Sequence, residues 1–229
     1  MASPHDRTPT TAQLAVDGIK DYIRSNGLKP GDTMPTETEL CAELGFSRSS
    51  VREAIRTLVA LDIVEVRHGR GTFVSQARLS ALVQGLIFRA SLDSEGQFET
   101  LRYVVETRRA MDLSIGEEAA RALDDATFEQ LTELVDAMDA KREHNFADED
   151  RQFHRVLLSV IDNPIIRELN DAFWQVHMEV IPLRGIAKPR DLGRTVRAHR
   201  AILEALRAGD MDAYRAAVNE HYQPLLEEL

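Results

Sequence analysis

Residues 27–74 read GLKPGDTMPTETELCAELGFSRSSVREAIRTLVALDIVEVRHGRGTFV, and their punctuation decides the fold of the first third of the chain. Lys29-Pro30-Gly31-Asp32 is a turn signal. Thr36 with Glu39 three residues later is a capping box, so a helix starts there, and Gly45 stops it. Ser47 is placed to cap the next helix, which is expected to run to about Leu61. Within it Val51, Ala54, Ile55, Leu58 and Val59 recur at helical spacing and are expected to face a core. Ile63–Val66 and Gly71–Val74 alternate like short strands, with Arg67-His68-Gly69-Arg70 as the hairpin tip. Upstream, Leu14, Ile19, Tyr22 and Ile23 form one helical stripe that stops at Asn26-Gly27. Three helices followed by a two-stranded wing make a winged helix-turn-helix, and the short Gly45-Phe46-Ser47 connection suits its turn.

In that motif the third helix enters the major groove by its N-terminus. Its first turns carry Ser47, Arg48, Ser49, Ser50 and Arg52. Hydroxyls on short side chains suit phosphate contacts, and arginine either forks onto guanine O6 and N7 or clamps a phosphate. Taken alone, Arg48 and Arg52 also read as a solvated face paired with Glu37, Glu39 or Glu53.

From residue 76 on no convincing strand pattern appears. Helical periodicity covers about 77–92, 97–122, 125–143, 146–161, 164–180, 189–208 and 210–228. Breaks fall at Ser94-Glu95-Gly96, Asn163-Pro164, Pro182, Lys188-Pro189 and Gly209-Asp210. The fold class is therefore mainly α, an N-terminal winged helix-turn-helix followed by an all-α antiparallel helical bundle. The expected divisions are a disordered tail at 1–10, a winged helix-turn-helix DNA-binding domain at 11–76 and a helical domain at 77–229, to which the family resemblance given below assigns effector binding.

The charge pattern fits this division. The chain of 229 residues carries a net charge of −10. Residues 1–75 hold 9 basic and 10 acidic side chains, leaving 19 basic and 28 acidic for the rest, so the acid lies mostly in the second part. The window 45–75 has five arginines against three acids, which leaves a basic surface for nucleic acid. No stretch approaches the roughly 18 consecutive apolar residues of a membrane span. The N-terminus lacks the apolar core of a secretory signal. A single cysteine, Cys41, excludes an internal disulfide and reads as a packing residue in a reducing cytoplasm.

The second part holds one chemical constellation. Asp150 and His154 are four apart, on one helical face. His199 and His221 fall on two later helices. One carboxylate and three imidazoles from three helices can surround a divalent ion, zinc or alternatively nickel, manganese or iron. Read from the residues alone, the same side chains also fit ordinary surface or core positions. Among the other histidines, His5 lies in the tail and His144 at a helix end. His177, near Trp174 on one face, lines a pocket or fills the core.

The run quoted above resembles the N-terminal domain of GntR-family regulators over its whole length, with Met34 in place of the usual leucine and Thr38 where some members carry an arginine. The resemblance assigns DNA contacts to Arg48, Ser49, Ser50 and Arg52, and the wing tip to His68 and Gly69. The stretches DEDRQFHRVLLSVIDNPIIREL, VRAHRAILEALRAGDMDAYRAAVNEHY and LRYVVETRRA resemble the FCD effector domain of the FadR-type subfamily. That implies a metal site at Asp150, His154, His199 and His221, and an effector-carboxylate contact at Arg102 with Glu106 as its neighbouring acid. After Glu106 the chain departs from the family's alanine-rich text with Thr107, Arg108, Arg109 and Asp112, so Arg108 or Arg109 also stands in reach of the pocket. The implied function is a cytoplasmic, homodimeric transcriptional regulator that binds a short inverted-repeat operator in double-stranded DNA and responds to a small carboxylate. The alternatives are a regulator for which the metal itself is the signal, and a metal-dependent hydrolase fused to a DNA-binding module. The last lacks an H-E-x-x-H motif, a nucleophile elbow and a base near the ligands, so no enzyme is expected.

Overall fold

The computed structural model describes residues 9–76, 78–141, 146–187 and 191–229. His5, His144 and the Lys188-Pro189 break lie outside the described residues. Ten helices and one two-stranded sheet are described, and the chain divides into two compact units, one ending at Ala81 and one beginning at Leu82.

The first unit contains α1 (Thr11–Ser25), α2 (Glu37–Leu44), α3 (Arg48–Ala60), β1 (Val64–Arg67) and β2 (Gly71–Val74). Thr10 caps α1, and Thr36 with Glu39 forms the expected capping box on α2. Gly45 ends α2 with φ of +72°, a conformation only glycine adopts freely. Ser47 Oγ then accepts from the Ser50 amide and starts α3. Ile19, Leu40, Val51, Ala54 and Leu58 are fully buried and form the core between the three helices. Val59, expected in that core, is 41 % exposed. Eight residues beyond Val51 it has rotated about 80° from that residue, to the edge of the stripe.

The wing pairs Val64 with Val74 through Arg67 with Gly71, antiparallel. It begins one residue later than the sequence pattern suggests, because the Ile63 amide is taken by the Leu58 carbonyl at the end of α3.

Seven helices follow: α4 (Ser80–Ser91), α5 (Glu99–Ala122), α6 (Asp125–Ala140), α7 (Ala147–Ser159), α8 (Pro164–Arg184), α9 (Leu192–Ala208) and α10 (Met211–Leu226). α10 packs on α9 and α5, α5 on α8, and α6 on α7 and α9. Asn163 caps α8 with Pro164 in its first turn, as its dipeptide predicts. Pro182 does not break α8, contrary to expectation. It lies in the last turn, where a proline removes only its own bond to the carbonyl one turn back, and Gly185 at φ of +64° is the actual terminator. Among the described residues no helix is long and apolar enough to cross a membrane.

α5 and α10 approach closely at Gly116. A Cβ there would lie 2.4 Å from Tyr214 Cε1, and the Tyr214 ring is buried with its hydroxyl donating to the Asp112 carbonyl at 2.6 Å. Gly116→Ala is therefore expected to lower the unfolding free energy by about 1–3 kcal/mol, the usual range for forced overpacking. Urea titration of the full chain checks it. An unchanged midpoint would show that α10 can yield at this point.

Candidate metal centre

α7 begins with three acidic residues, Asp148, Glu149 and Asp150, at the end where the helix dipole favours negative charge. One turn on, His154 points into the bundle and is 2 % exposed. His199 on α9 is fully buried, and His221 on α10 is nearly so. Asp150, His154, His199 and His221 each offer one donor atom, and these atoms lie within 4.8 Å of one another. His199 Nε2 is 3.1 Å from Asp150 Oδ1, and His154 Nε2 is 3.3 Å from His221 Nε2.

Outer contacts orient these groups. His199 Nδ1 lies 2.8 Å from the Thr195 carbonyl, so this nitrogen carries the proton and Nε2 keeps its lone pair. Trp174 Nε1 donates to Asp150 Oδ2 at 3.1 Å. Asp112 Oδ2 stands 3.6 Å from His154 Nδ1 and accepts from the Tyr222 hydroxyl at 2.7 Å, while Oδ1 accepts from Asn170 Nδ2 at 3.1 Å. Phe153 closes the cluster edge-on against His154 and His199.

The electrostatics favour a cation. Burial opposes ionisation of Asp150, but the adjoining His199, His154 and His221 rings outweigh it and hold the carboxyl well below its usual range. Burial lowers His154 and, with His199 and His154 beside it, drives His221 well below the ordinary histidine value. An ionised Asp150, with His154 and His221 shifted towards the neutral form, is the pattern that divalent-ion binding requires. Among the described residues His199 Nε2, His154 Nδ1 and His221 Nδ1 have no hydrogen-bond partner, although they are buried. A set of three imidazoles and one carboxylate, with ring nitrogens facing one another, fits a borderline divalent ion.

Beside this cluster sits a group that ranks second to Arg102 on sequence grounds alone. Arg108 is 2 % exposed on α5. Its Nη1 lies 3.4 Å from His177 Nδ1, and Tyr222 stacks beneath it at 5.6 Å. Its Nε and Nη2 have no partner among the described residues. An uncompensated buried charge costs on the order of 3–5 kcal/mol. The nearby Asp112 carboxylate is taken up by Tyr222 and Asn170 instead. Arg102, the expected effector contact, is half-buried on the same helix and makes no ion pair with Glu106 among the described residues. The spacing of Leu101, Val104, Val105, Arg108, Asp112 and Ile115 marks both Arg108 and Asp112, since it puts two charged side chains inside an otherwise apolar stripe. Asn170 and Trp174 carry no such mark as partners of the cluster.

The residues expected to contact DNA occupy the other unit. Ser47, Arg48 and Ser49 are exposed at the start of α3, and the Ser47 hydroxyl is 2.9 Å from those of Ser49 and half-buried Ser50. Arg52 is exposed and its Nη2 pairs with Glu37 at 2.8 Å. His68 and Gly69 are exposed at the hairpin tip, Gly69 with φ of +70°.

A winged helix-turn-helix followed by a helical bundle with a buried polar cluster is the architecture of a DNA-binding regulator. The family model for bacterial regulatory proteins of the gntR family matches residues 11–74, and the FCD domain model matches residues 103–224. The galactonate operon transcriptional repressor of Escherichia coli (strain K12) is 25 % identical over 190 residues, covering 82 % of this chain and 83 % of its own. The transcriptional repressor NanR of Cronobacter sakazakii is 28 % identical, covering 92 % and 82 %. The solved structure of Streptococcus agalactiae GntR shares the fold, with a TM-score of 0.68 at 24 % identity over 95 % of this chain and 100 % of that one. The chain belongs to the GntR family of bacterial regulatory proteins, in the FadR-like subfamily whose second domain is FCD. It is a transcriptional regulator.

The site predicts an acid response. Burial and the Arg108 charge push His177 down to about 3, below its unfolded value of 6.5. The unfolded chain therefore takes up a proton that the folded one refuses, so stability is lost as pH falls from about 6.5 towards 3. In metal-free protein, His177→Asn should flatten the fall in unfolding free energy by up to about 1.4 kcal/mol per pH unit in that window. Parallel slopes for the two proteins would show that His177 does not remain neutral in the fold.

Proposed function

We propose that the protein is a homodimeric repressor that binds a short inverted-repeat operator and responds to a small carboxylate held in the bundle. The observation that carries this reading is the buried guanidinium of Arg108, whose Nε and Nη2 have no partner among the described residues, beside the Asp150, His154, His199 and His221 cluster. A planar guanidinium takes a carboxylate in two parallel hydrogen bonds. Two relatives are named for operons of hydroxy acids, galactonate and L-lactate, which supports a hydroxy-carboxylate as the ligand class. Asp150, His154, His199 and His221 would hold the metal, with zinc the first candidate and nickel, manganese and iron the others. A divalent ion bound there would supply a positive centre for a second oxygen of the ligand. Arg108 would bind and orient the carboxylate, His177 would fix the guanidinium, and Trp174 and Asp112 would keep the ligand side chains in register. This reading names Arg108 as the carboxylate contact and keeps Arg102 as the alternative that the same experiment separates.

At the DNA end, two copies of α3 related by a twofold axis would read the two half-sites. Arg48, Ser49, Ser50 and Arg52 would make the groove and phosphate contacts, with His68 and Gly69 at the wing tip. Arg52 must share its guanidinium between Glu37 and DNA, so Arg48 is the freer reader. The double-stranded operator and the lone thiol of Cys41 suit action in the cytoplasm.

Operator binding measured by fluorescence anisotropy tests both ends. Arg48→Ala should weaken binding to the selected operator by roughly 5- to 150-fold, the worth of about 1–3 kcal/mol for one arginine–guanine pair. A panel of hydroxy-carboxylates should release the wild-type protein from DNA. Arg108→Ala should bind operator normally and ignore the acid, whereas Arg102→Ala should still respond. Release by metal alone, with no acid effect, would favour the metal as signal. A response that survives in Arg108→Ala and fails in Arg102→Ala would move the carboxylate contact to Arg102.

A further inference from the structure

Glu37 opens α2, Arg52 lies in the second turn of α3, and their side chains meet side-on. Arg52 Nε donates to Glu37 Oε1 and Oε2 at 3.3 and 3.2 Å, and its Nη2 donates to Oε2 at 2.8 Å. Its Nη1 makes no hydrogen bond among the described residues. A guanidinium is a rigid planar fork, so a carboxylate on its Nε edge leaves the Nη1–Nη2 end open to a second planar acceptor. That end suits guanine O6 and N7.

The core fixes this meeting. Leu40, one turn after Glu37, and Val51, next to Arg52, are fully buried in the core that α2 and α3 share. Gly45 makes the turn that brings the two helices together. Glu37 and Arg52 therefore stand on the solvent rim of a packed contact.

The start of α2 does not need Glu37. Its capping box uses Thr36 and Glu39, whose carboxylate accepts from the Thr36 amide at 2.8 Å. Glu37 is left to reach across to α3. Arg48, Arg52 and Arg56 are exposed along α3, each one turn from the next. Among the described residues Arg52 alone of the three has an ion-pair partner. Its hydrogen bonds hold the Glu37 carboxyl below the usual range, and the charges of Arg48 and Arg56 add to this.

An ion pair with side chains 58 % and 39 % exposed adds little to folding stability. It does restrict a long side chain, which would otherwise lose that freedom on binding. A carboxylate beside nucleic acid also repels phosphate, so it disfavours any DNA contact that does not use the arginine.

We infer that Glu37 is a positioning residue that aims Arg52 at one base pair of the operator and so sets the sequence preference there. The inference rests on the proposed DNA-binding role of α3, and Glu37 acts only through Arg52.

The full-length wild type and variants are each used to select from a randomised DNA duplex library. Fluorescence anisotropy then follows binding to the wild-type selected duplex, its single base-pair variants and an unrelated duplex. In the wild type, one base pair should be worth roughly 5- to 150-fold in affinity, and it should lose its effect in Arg52→Ala. Glu37→Gln, which keeps the shape of the side chain without its charge, and Glu37→Ala should cut that preference by about fivefold or more. Preferences at the other base pairs should stand, and the unrelated duplex should bind at least as tightly as before. A Glu37 that only competes with DNA gives the opposite result. Glu37→Ala then binds more tightly with the preference intact, and the positioning role is wrong. A merely structural Glu37 overturns the inference too, since both variants then lose affinity for every duplex alike, together with thermal stability. If Arg52→Ala keeps every base preference, Arg52 reads no base and the inference falls while DNA contact through Arg48 stands. If the wild type selects no shared sequence, the proposed operator binding fails and the inference falls with it.

Discussion

A partly exposed carboxylate, three buried imidazoles and a buried arginine, gathered in one polar cluster, set the terms for the second half of this protein. Groups of this kind are seldom buried without partners. Two imidazole nitrogens face each other 3.3 Å apart, and a guanidinium beside them keeps two nitrogens without partners among the described residues. Apolar side chains of similar size would pack the same volume at less cost. In the proposed reading it is a receptor, in which a cation and an anion together satisfy what the chain itself leaves open. The bundle around it follows from this demand. α5, α7, α8, α9 and α10 each contribute a polar side chain at an inward position of an otherwise apolar stripe.

The supporting contacts are as specific as the inner ones. His199 has its tautomer set by the Thr195 carbonyl, and Asp150 has one oxygen held by Trp174. Asp112 is held by Tyr222 and Asn170 and by the Tyr214 hydroxyl on its carbonyl. It lies where it can steady His154 without competing for the donor atoms. Such outer partners fix orientation before any ligand arrives, which reduces the ordering that binding would otherwise require.

Much of this was legible in the sequence, for reasons that differ by region. The first unit is written in local signals, namely Thr36 with Glu39, Gly45 and Ser47, and each acts within a few residues of itself. The four clustered side chains were visible because the Asp150–His154 spacing is helical and family resemblance supplied the two partners that lie far along the chain. What stayed hidden depends on which way a helix turns. Arg102 and Arg108 sit on one helix six residues apart, and only the buried stripe decides that Arg108 faces inward. Val59 and Pro182 show the same limit on a smaller scale, since a stripe edge and a last helical turn look alike with or without burial. The roles of Asn170 and Trp174 arise from contacts dozens of residues distant, which no local pattern encodes.

The account stands on the four donor atoms acting together on one ion. Titration of the metal-free protein with cobalt(II), followed by its visible d–d absorption, addresses this most directly. The account predicts absorption bands that saturate at a single ion per chain and disappear in His199→Ala, while the helical content of that variant is retained. Bands that are absent in the wild type, or that persist unchanged without His199, would contradict it.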